Sequence, residues 1–210
     1  MELLITNENA YGQNIYIYYD KISGEGIIID PGDSFVLIRE AIEKNNINIK
    51  AIFLTHGHYD HTFCANEVKE LTNAPIYAHE NEVNLLQDTE YNRSGLRGLM
   101  VSVVPDKLFK DGDVFRFENG TELKIIHTPG HTAGGICFYD EKNAKIFTGD
   151  TLFRETIGRT DMPTGCTETL LASIREKLFS LPEDVLVFPG HEKHSTIKHE
   201  KKYNKIAGEK

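Results

Sequence analysis

The segment Thr55–His61 places histidines and an aspartate at a density that few loops have. His56 and His58 follow the apolar run Ala51–Leu54, which has the composition of a strand. Side chains alternate along an extended segment, so these two imidazoles point the same way and can reach one ion. We therefore expect a metal site where this strand ends.

Asp60 and His61 complete the segment. They cannot reach the same ion without a turn, and a helix beginning near Thr62 would supply one. Metal-competent groups packed this closely without an ion would repel and desolvate one another. The segment therefore leaves room for a second ion near the first.

Three later apolar strands each end in glycine followed by a residue that can bind metals. These pairs are Gly130-His131, Gly149-Asp150 and Gly190-His191. Glycine permits positive φ and close backbone approach, so the next side chain can turn inward at the sheet edge. The candidate ligands divide as His56, His58 and His131 for one ion, Asp60, His61 and His191 for another, and Asp150 as a bridge. Imidazole and carboxylate without thiolate suit zinc, iron or manganese.

The other histidines lack this context and are expected to be structural. His127 is interpreted as a packing residue, His79 as a polar group at a helix start, and His194 and His199 as exposed tail residues. Cys64 lies near the candidate site but is interpreted as a buried structural thiol.

Length and charge limit the class of protein. The chain has 210 residues, of which 40% are hydrophobic, and this predicts one domain over 1–210 with a basic tail at about 195–210. The net charge of −9 disfavours nucleic acid and anionic membranes as partners, so a small-molecule substrate is expected. The sequence does not indicate an oligomeric state.

We find no pattern of a signal peptide or membrane span, and three scattered cysteines fit a reduced, cytoplasmic protein.

Strand and helix patterns alternate along the chain. Expected strands cover 13–19, 26–29, 49–54, 75–78, 114–117, 121–127, 136–139, 144–147 and 185–188. Expected helices cover 35–45, 67–71 and 168–178. The segment 87–104 has no clear period and is either a mobile loop over the site or a connector. The pattern predicts an α/β fold with two sheets packed face to face and helices outside.

Four motifs together resemble the metallo-β-lactamase superfamily along nearly the whole chain. They are His56–His61, Thr128–Thr132, Gly149–Phe153 and Pro189–His191. Within that superfamily, the second and third motifs look like the glyoxalase II branch, and Ile157–Asp161 looks like its small, single-domain bacterial members. The resemblance implies a four-layer αββα sandwich. It also implies that the candidate ligands match the family's two-metal set, with zinc as the expected metal and iron or manganese as alternatives.

The resemblance further implies a binuclear hydrolase that cleaves a thioester such as S-lactoylglutathione with a hydroxide bridging the metals. Asp60 would bind one ion and orient the proton of that hydroxide. Arg159 stands where longer glyoxalase II enzymes place a substrate-binding lysine, so it is expected either to bind a substrate carboxylate or to form an ion pair with Asp161. Those longer enzymes hold glutathione partly with a C-terminal helical extension, whereas this chain ends soon after His191. Recognition of glutathione therefore stays open.

Two other functions are compatible with the motifs. A persulfide dioxygenase of the same superfamily would use one iron held by two histidines and a carboxylate. A metal-binding regulator without catalysis would need the same ligands but no substrate. Measurements of metal content and substrate turnover distinguish the hydrolase, the dioxygenase and the regulator.

Overall fold

A computed structural model describes residues 1–7 and 9–208, and within them the strands form two six-stranded sheets and one two-stranded sheet. The strands are β1 (Glu2–Thr6), β2 (Ile15–Tyr19), β3 (Glu25–Ile29), β4 (Asn48–Phe53), β5 (Ile76–His79), β6 (Lys107–Phe109), β7 (Val114–Arg116), β8 (Glu122–His127), β9 (Ile136–Asp140), β10 (Lys145–Gly149), β11 (Leu152–Phe153), β12 (Thr156–Ile157), β13 (Leu186–Pro189) and β14 (Ser195–Thr196). The α-helices are α1 (Phe35–Asn45), α2 (Tyr59–Thr62), α3 (Ala65–Thr72), α4 (Val83–Gln87), α5 (Thr167–Ala172) and α6 (Ile197–Tyr203).

The chain divides into two compact units, each built around one of the large sheets. The first unit is Met1–Phe109 with Phe117–Gly120, and the second is Lys110–Arg116 with Thr121–Lys210. Each unit has its own apolar core. The expectation of a single domain over 1–210 stays a prediction.

The sheet of the first unit has the order β1-β2-β3-β4-β5-β6. The expected hairpin is confirmed, since β2 pairs antiparallel with β3, and β3, β4, β5 and β6 then pair in parallel. Both β2 and β3 are buried along their whole length, as expected of strands covered on both faces. Because β3 and β4 are parallel, the residues that follow each of them lie at the same sheet edge.

The sheet of the second unit has the order β14-β13-β10-β9-β8-β7. Its strands pair antiparallel except for β10 and β13, which are parallel. Gly149 at the end of β10 is in register with Pro189 at the end of β13. The residues after these two strands, Asp150 and His191, are therefore delivered to one edge. The expected helix 168–178 is also present, although its second half, Ser173–Leu178, is a π-helix.

The C-terminal segment is not the exposed tail expected from its lysines. Ser195–Thr196 pairs with β13, and α6 buries Ile197 and Glu200 completely. The Glu200 carboxylate accepts a hydrogen bond from the backbone N–H of Glu155 at 2.8 Å. His199, also expected in the tail, contacts the Glu155 carboxylate through Nε2 at 3.0 Å. The segment is therefore packed against the unit through β14 and α6, and the helix ends at Tyr203.

The segment 87–104 is an anchored connector in this structure. It contains one 3₁₀ turn, Gly95–Arg97, and fully buries the side chains of Asn92 and Ser94. The Asn92 amide donates to the carbonyl of Val101 at 2.7 Å, which ties the two ends of the segment together.

In the part of the chain that the structure covers, we find no helix with the length and apolar character needed to cross a membrane.

Candidate metal centre

The first unit brings its four expected ligands together just after β4. The ring centroid of His56 lies 4.8 Å from that of His58 and 4.1 Å from that of His61. His61 Nε2 lies 3.9 Å from Asp60 Oδ2. All three imidazoles are buried, whereas the Asp60 side chain keeps 21% of its surface exposed. The helix that turns Asp60 and His61 toward the other ligands begins at Tyr59 rather than near Thr62, so both residues lie in its first turn.

Asp30 supports this cluster and was not anticipated from the sequence. It is 1% exposed, and its Oδ1 accepts a hydrogen bond from the backbone N–H of Thr55 at 2.7 Å. Its Oδ2 accepts from the Thr55 hydroxyl at 2.6 Å and contacts His61 Nδ1 at 2.9 Å. The carboxylate therefore orients the imidazole and the preceding loop. In the sequence Asp30 directly follows the apolar residues of β3, but no glycine precedes it as one precedes His131, Asp150 and His191.

These hydrogen bonds fix which ring nitrogen carries the proton. The Thr55 hydroxyl has one hydrogen and donates it to Asp30, so in the 3.1 Å contact with His56 the ring Nδ1–H is the donor. His61 Nδ1–H likewise donates to the Asp30 carboxylate. Both rings therefore present the Nε2 lone pair. A metal-binding histidine normally has its second ring nitrogen bonded to a carboxylate, carbonyl or similar acceptor, and the two rings follow that pattern.

The second unit brings its three expected ligands together around Asp150. Asp150 Oδ2 lies 3.6 Å from His131 Nε2 and 3.9 Å from His191 Nε2. His131 Nδ1 contacts the backbone carbonyl of Arg159 at 2.7 Å, and since a carbonyl can only accept, Nε2 carries the lone pair here too.

Glycine and threonine shape the two loops that carry His131 and Asp150. Gly130 and Gly149, which precede these ligands, have φ of +132° and +47°, as expected for side chains that turn at a strand end. The hydroxyls of Thr128 and Thr151 lie 2.9 Å apart and join the loops, and both residues are buried. This threonine pair is a second supporting feature that the sequence did not reveal.

Both units contribute imidazole and carboxylate donors of the kind that binds a divalent metal ion. Two ligand atoms of one zinc ion, each about 2.0–2.2 Å from the metal, lie roughly 3–4 Å apart. The separations of 3.6–3.9 Å between Nε2 and carboxylate oxygen fit that spacing better than a hydrogen bond. Cys64 and Cys137 are buried, and burial raises the pKa of each thiol to about 11, so neither supplies a thiolate near neutral pH.

Two further histidines have the structural roles expected of them. His79 caps the 3₁₀ turn Glu80–Glu82, where its ring accepts from the backbone N–H of Asn81. His127 contacts the carbonyl of Ala133 through Nε2 at 2.9 Å.

Arg159 forms the ion pair that was one of its two expected roles. Its guanidinium contacts both carboxylate oxygens of Asp161, at 2.7 and 2.8 Å. Both side chains are more than 60% exposed, so the pair contributes little to stability. Binding of a substrate carboxylate by Arg159 stays a prediction.

A sequence model described as the metallo-beta-lactamase superfamily matches residues 9–191. The chain belongs to this superfamily. Among its relatives, hydroxyacylglutathione hydrolase GloC of Haemophilus influenzae is 35% identical to this chain over an alignment of 214 positions, which covers 100% of each chain. The crystal structure of BLEG-1 B3 metallo-beta-lactamase is similar with a TM-score of 0.93 and 31% identity, covering 98% of this chain and 99% of that one. The crystal structure of TTHA1623 in a di-iron-bound form is similar with a TM-score of 0.85 and 28% identity, covering 96% of this chain and 98% of that one.

These similarities confirm the superfamily that the four motifs indicated. They also confirm the fold class expected from the sequence, an α/β fold of the metallo-β-lactamase type. The superfamily's metallo-hydrolases bind divalent metals, and within the first unit Asp30, His56 and His61 offer ligand atoms that lie within 4.8 Å of one another.

Proposed function

We propose that this chain is a binuclear metal-dependent hydrolase that cleaves thioesters. One observation carries the proposal: the buried imidazoles of His56, His61 and His131 are each held through Nδ1, so that each Nε2 carries the lone pair with which a histidine binds a metal. The two structural histidines differ, since His127 is held through Nε2 and the Nδ1 of His79 is an acceptor.

The proposed ligand sets are those expected from the sequence. His56, His58 and His131 hold one ion, Asp60, His61 and His191 hold the other, and Asp150 bridges them. Zinc is the proposed metal because imidazole and carboxylate with no thiolate suit it, although the same donors suit iron and manganese. The di-iron form of the TTHA1623 structure supports iron as the second choice.

When bound, divalent ions would lower the pKa of a coordinated water to about 7 and would polarise the substrate carbonyl, and they would thereby supply the nucleophile for hydrolysis. Asp60 orients the proton of that nucleophile, and the exposed part of its side chain gives it access to solvent and substrate. Asp30 and Thr55 keep the neighbouring imidazoles in place during the reaction. A thiol has a pKa of about 8.5, so it leaves the thioester readily as the thiolate and no separate general acid is needed.

The proposed substrate is a small acyl thioester, with S-lactoylglutathione as the representative compound. The name of the Haemophilus influenzae relative, which matches this chain from end to end, supports this class. The persulfide dioxygenase alternative requires a single iron, and nothing in the two ligand clusters selects one metal over two. The regulator alternative requires that the metal-loaded protein turn over none of these substrates.

The experiment that tests the proposal is reconstitution of metal-free protein with zinc, iron or manganese, followed by metal analysis and substrate assays. We expect about two ions per chain and hydrolysis of S-lactoylglutathione. A β-lactam should be assayed in parallel, because of the structural similarity to BLEG-1. Full metal loading without thioester cleavage would contradict the proposal. If the loaded protein hydrolysed the β-lactam faster than the thioester, it would be a β-lactamase rather than a thioesterase.

A prediction concerns Arg159 as the group that binds an acidic substrate. Arg159→Ala should raise KM for thioesters that carry a carboxylate by roughly 3–10-fold and change kcat less, since the contact is made equally in ground and transition states. The backbone carbonyl that holds His131 is unaffected by this substitution. Steady-state kinetics with an acidic and a neutral thioester measure the effect.

Asp161→Asn is the matched control for this prediction. It breaks the ion pair from the other side while keeping the guanidinium, so KM for the acidic thioester should stay unchanged or fall. If Arg159→Ala leaves KM unchanged for both substrates, Arg159 serves only the ion pair.

A further inference from the structure

Glu82 is a buried carboxylate next to the loop that carries His56 and His58. It ends the 3₁₀ turn between β5 and α4 and is 1% exposed. Its Oε1 accepts a hydrogen bond from the backbone N–H of Gly57 at 2.8 Å. Burying a carboxylate is unfavourable unless hydrogen bonds compensate it, and here one of them comes from the residue between two proposed ligands.

The rest of the segment after β5 also packs on this loop. A Cβ added to Gly57 would lie 2.7 Å from Leu85 Cδ2, so α4 approaches the loop too closely for any other residue at that position without movement of the leucine. On the other side of His58, the backbone N–H of Tyr59 donates to the carbonyl of Asn92 at 3.0 Å. The backbone on both sides of His58 is therefore held by residues 82–92.

We propose that Glu82 is a positioning residue for the metal centre, acting through the Gly57 amide. Its hydrogen bond fixes the peptide between His56 and His58, so that both imidazoles face the same ion. The inference rests on the proposed metal centre but not on the identity of the substrate.

Three substitutions at Glu82 separate hydrogen bonding from charge and from packing. Glu82→Met keeps the volume and removes the acceptor, Glu82→Asp keeps the charge but withdraws it from Gly57, and Glu82→Gln keeps an acceptor of the same length without charge. The matched control is Glu80→Gln, because Glu80 lies in the same turn with its side chain exposed.

The test measures cobalt(II) affinity of the metal-free proteins by competition with a chelator, together with the visible spectrum of the cobalt-loaded proteins. We expect Glu82→Met and Glu82→Asp to weaken cobalt binding roughly 10–100-fold and to shift the ligand-field bands. Glu82→Gln should bind within about tenfold of wild type with the wild-type spectrum, and Glu80→Gln should match wild type. If Glu82→Met fails to fold, Glu82→Asp takes its place.

Thermal unfolding of the metal-free proteins distinguishes positioning from general stability. Wild-type cobalt affinity and spectrum in folded Glu82→Met or Glu82→Asp would overturn the inference, whatever the loss of stability. The inference would also be overturned if Glu82→Gln bound cobalt as weakly as Glu82→Met, because the charge of Glu82 rather than its hydrogen bond would then account for the affinity. Wild-type protein that bound no cobalt would defeat the metal centre itself, whereas absence of thioester hydrolysis would defeat only the proposed function.

Discussion

Asp150→Ala is expected to lose at least one metal ion and to lower thioester hydrolysis by at least about 10²-fold. The Asp150 carboxylate faces the Nε2 atoms of both His131 and His191, so its removal takes away the group that the two imidazoles share. The fold should survive, because the apolar core of this unit is formed by strands and helices that do not include Asp150. His131→Ala should act in the same direction. Metal analysis, kcat/KM and circular dichroism together measure the effect.

Asp184→Ala is the control for this substitution. Asp184 is an exposed aspartate of the same unit and lies in the turn before β13, so its removal should leave metal content and activity unchanged. Full metal occupancy in folded Asp150→Ala would show that Asp150 does not bridge the metals.

Asp30→Asn should weaken both the fold and the metal centre. Asp30 accepts hydrogen bonds from two Thr55 groups and from His61, all of them buried, whereas an asparagine side chain has one acceptor oxygen and turns an NH₂ group toward the remaining donors. We expect a loss of about 2–4 kcal/mol in the free energy of unfolding of the metal-free protein. Metal affinity should fall roughly 10–100-fold, because His61 and the Thr55–His56 contact lose their orientation.

Asparagine is the informative replacement because Asp30 has φ of 51°, a backbone conformation that asparagine tolerates. Urea unfolding and chelator competition measure the two effects separately. Asp33→Asn, in the same turn and partly exposed, is the control and should change neither quantity much. Reduced stability with wild-type metal affinity would mean that Asp30 serves the fold and not the ligands.

The sequence predicted the strands that deliver ligands because their apolar runs end abruptly in glycine and a metal-binding residue. The strand that precedes His56 and the turn that presents Asp150 are local patterns, visible without any knowledge of tertiary contacts. The start of α2 at Tyr59 was missed because histidines and aspartate at its first turn looked like loop residues.

Residues that support the ligands were not predicted because their partners are distant along the chain. Asp30 looked like part of a turn, yet its contacts are with Thr55 and His61. Glu82 lies among exposed polar residues in the sequence, yet it is buried and its carboxylate accepts from the Gly57 amide, 25 residues away. Glu200 was hidden among lysines that indicated a tail, although its carboxylate meets the Glu155 amide. A carboxylate's burial depends on where its donors come from, and the sequence does not carry that information locally.

The most direct test of the proposed function is an anaerobic assay of S-lactoylglutathione with protein loaded with two metal ions per chain. We predict that the thioester is cleaved without oxygen and that log(kcat/KM) falls below a pH of about 7. Oxygen consumption with glutathione persulfide and formation of sulfite, together with no thioester cleavage by the fully loaded protein, would contradict the account and favour the single-iron alternative.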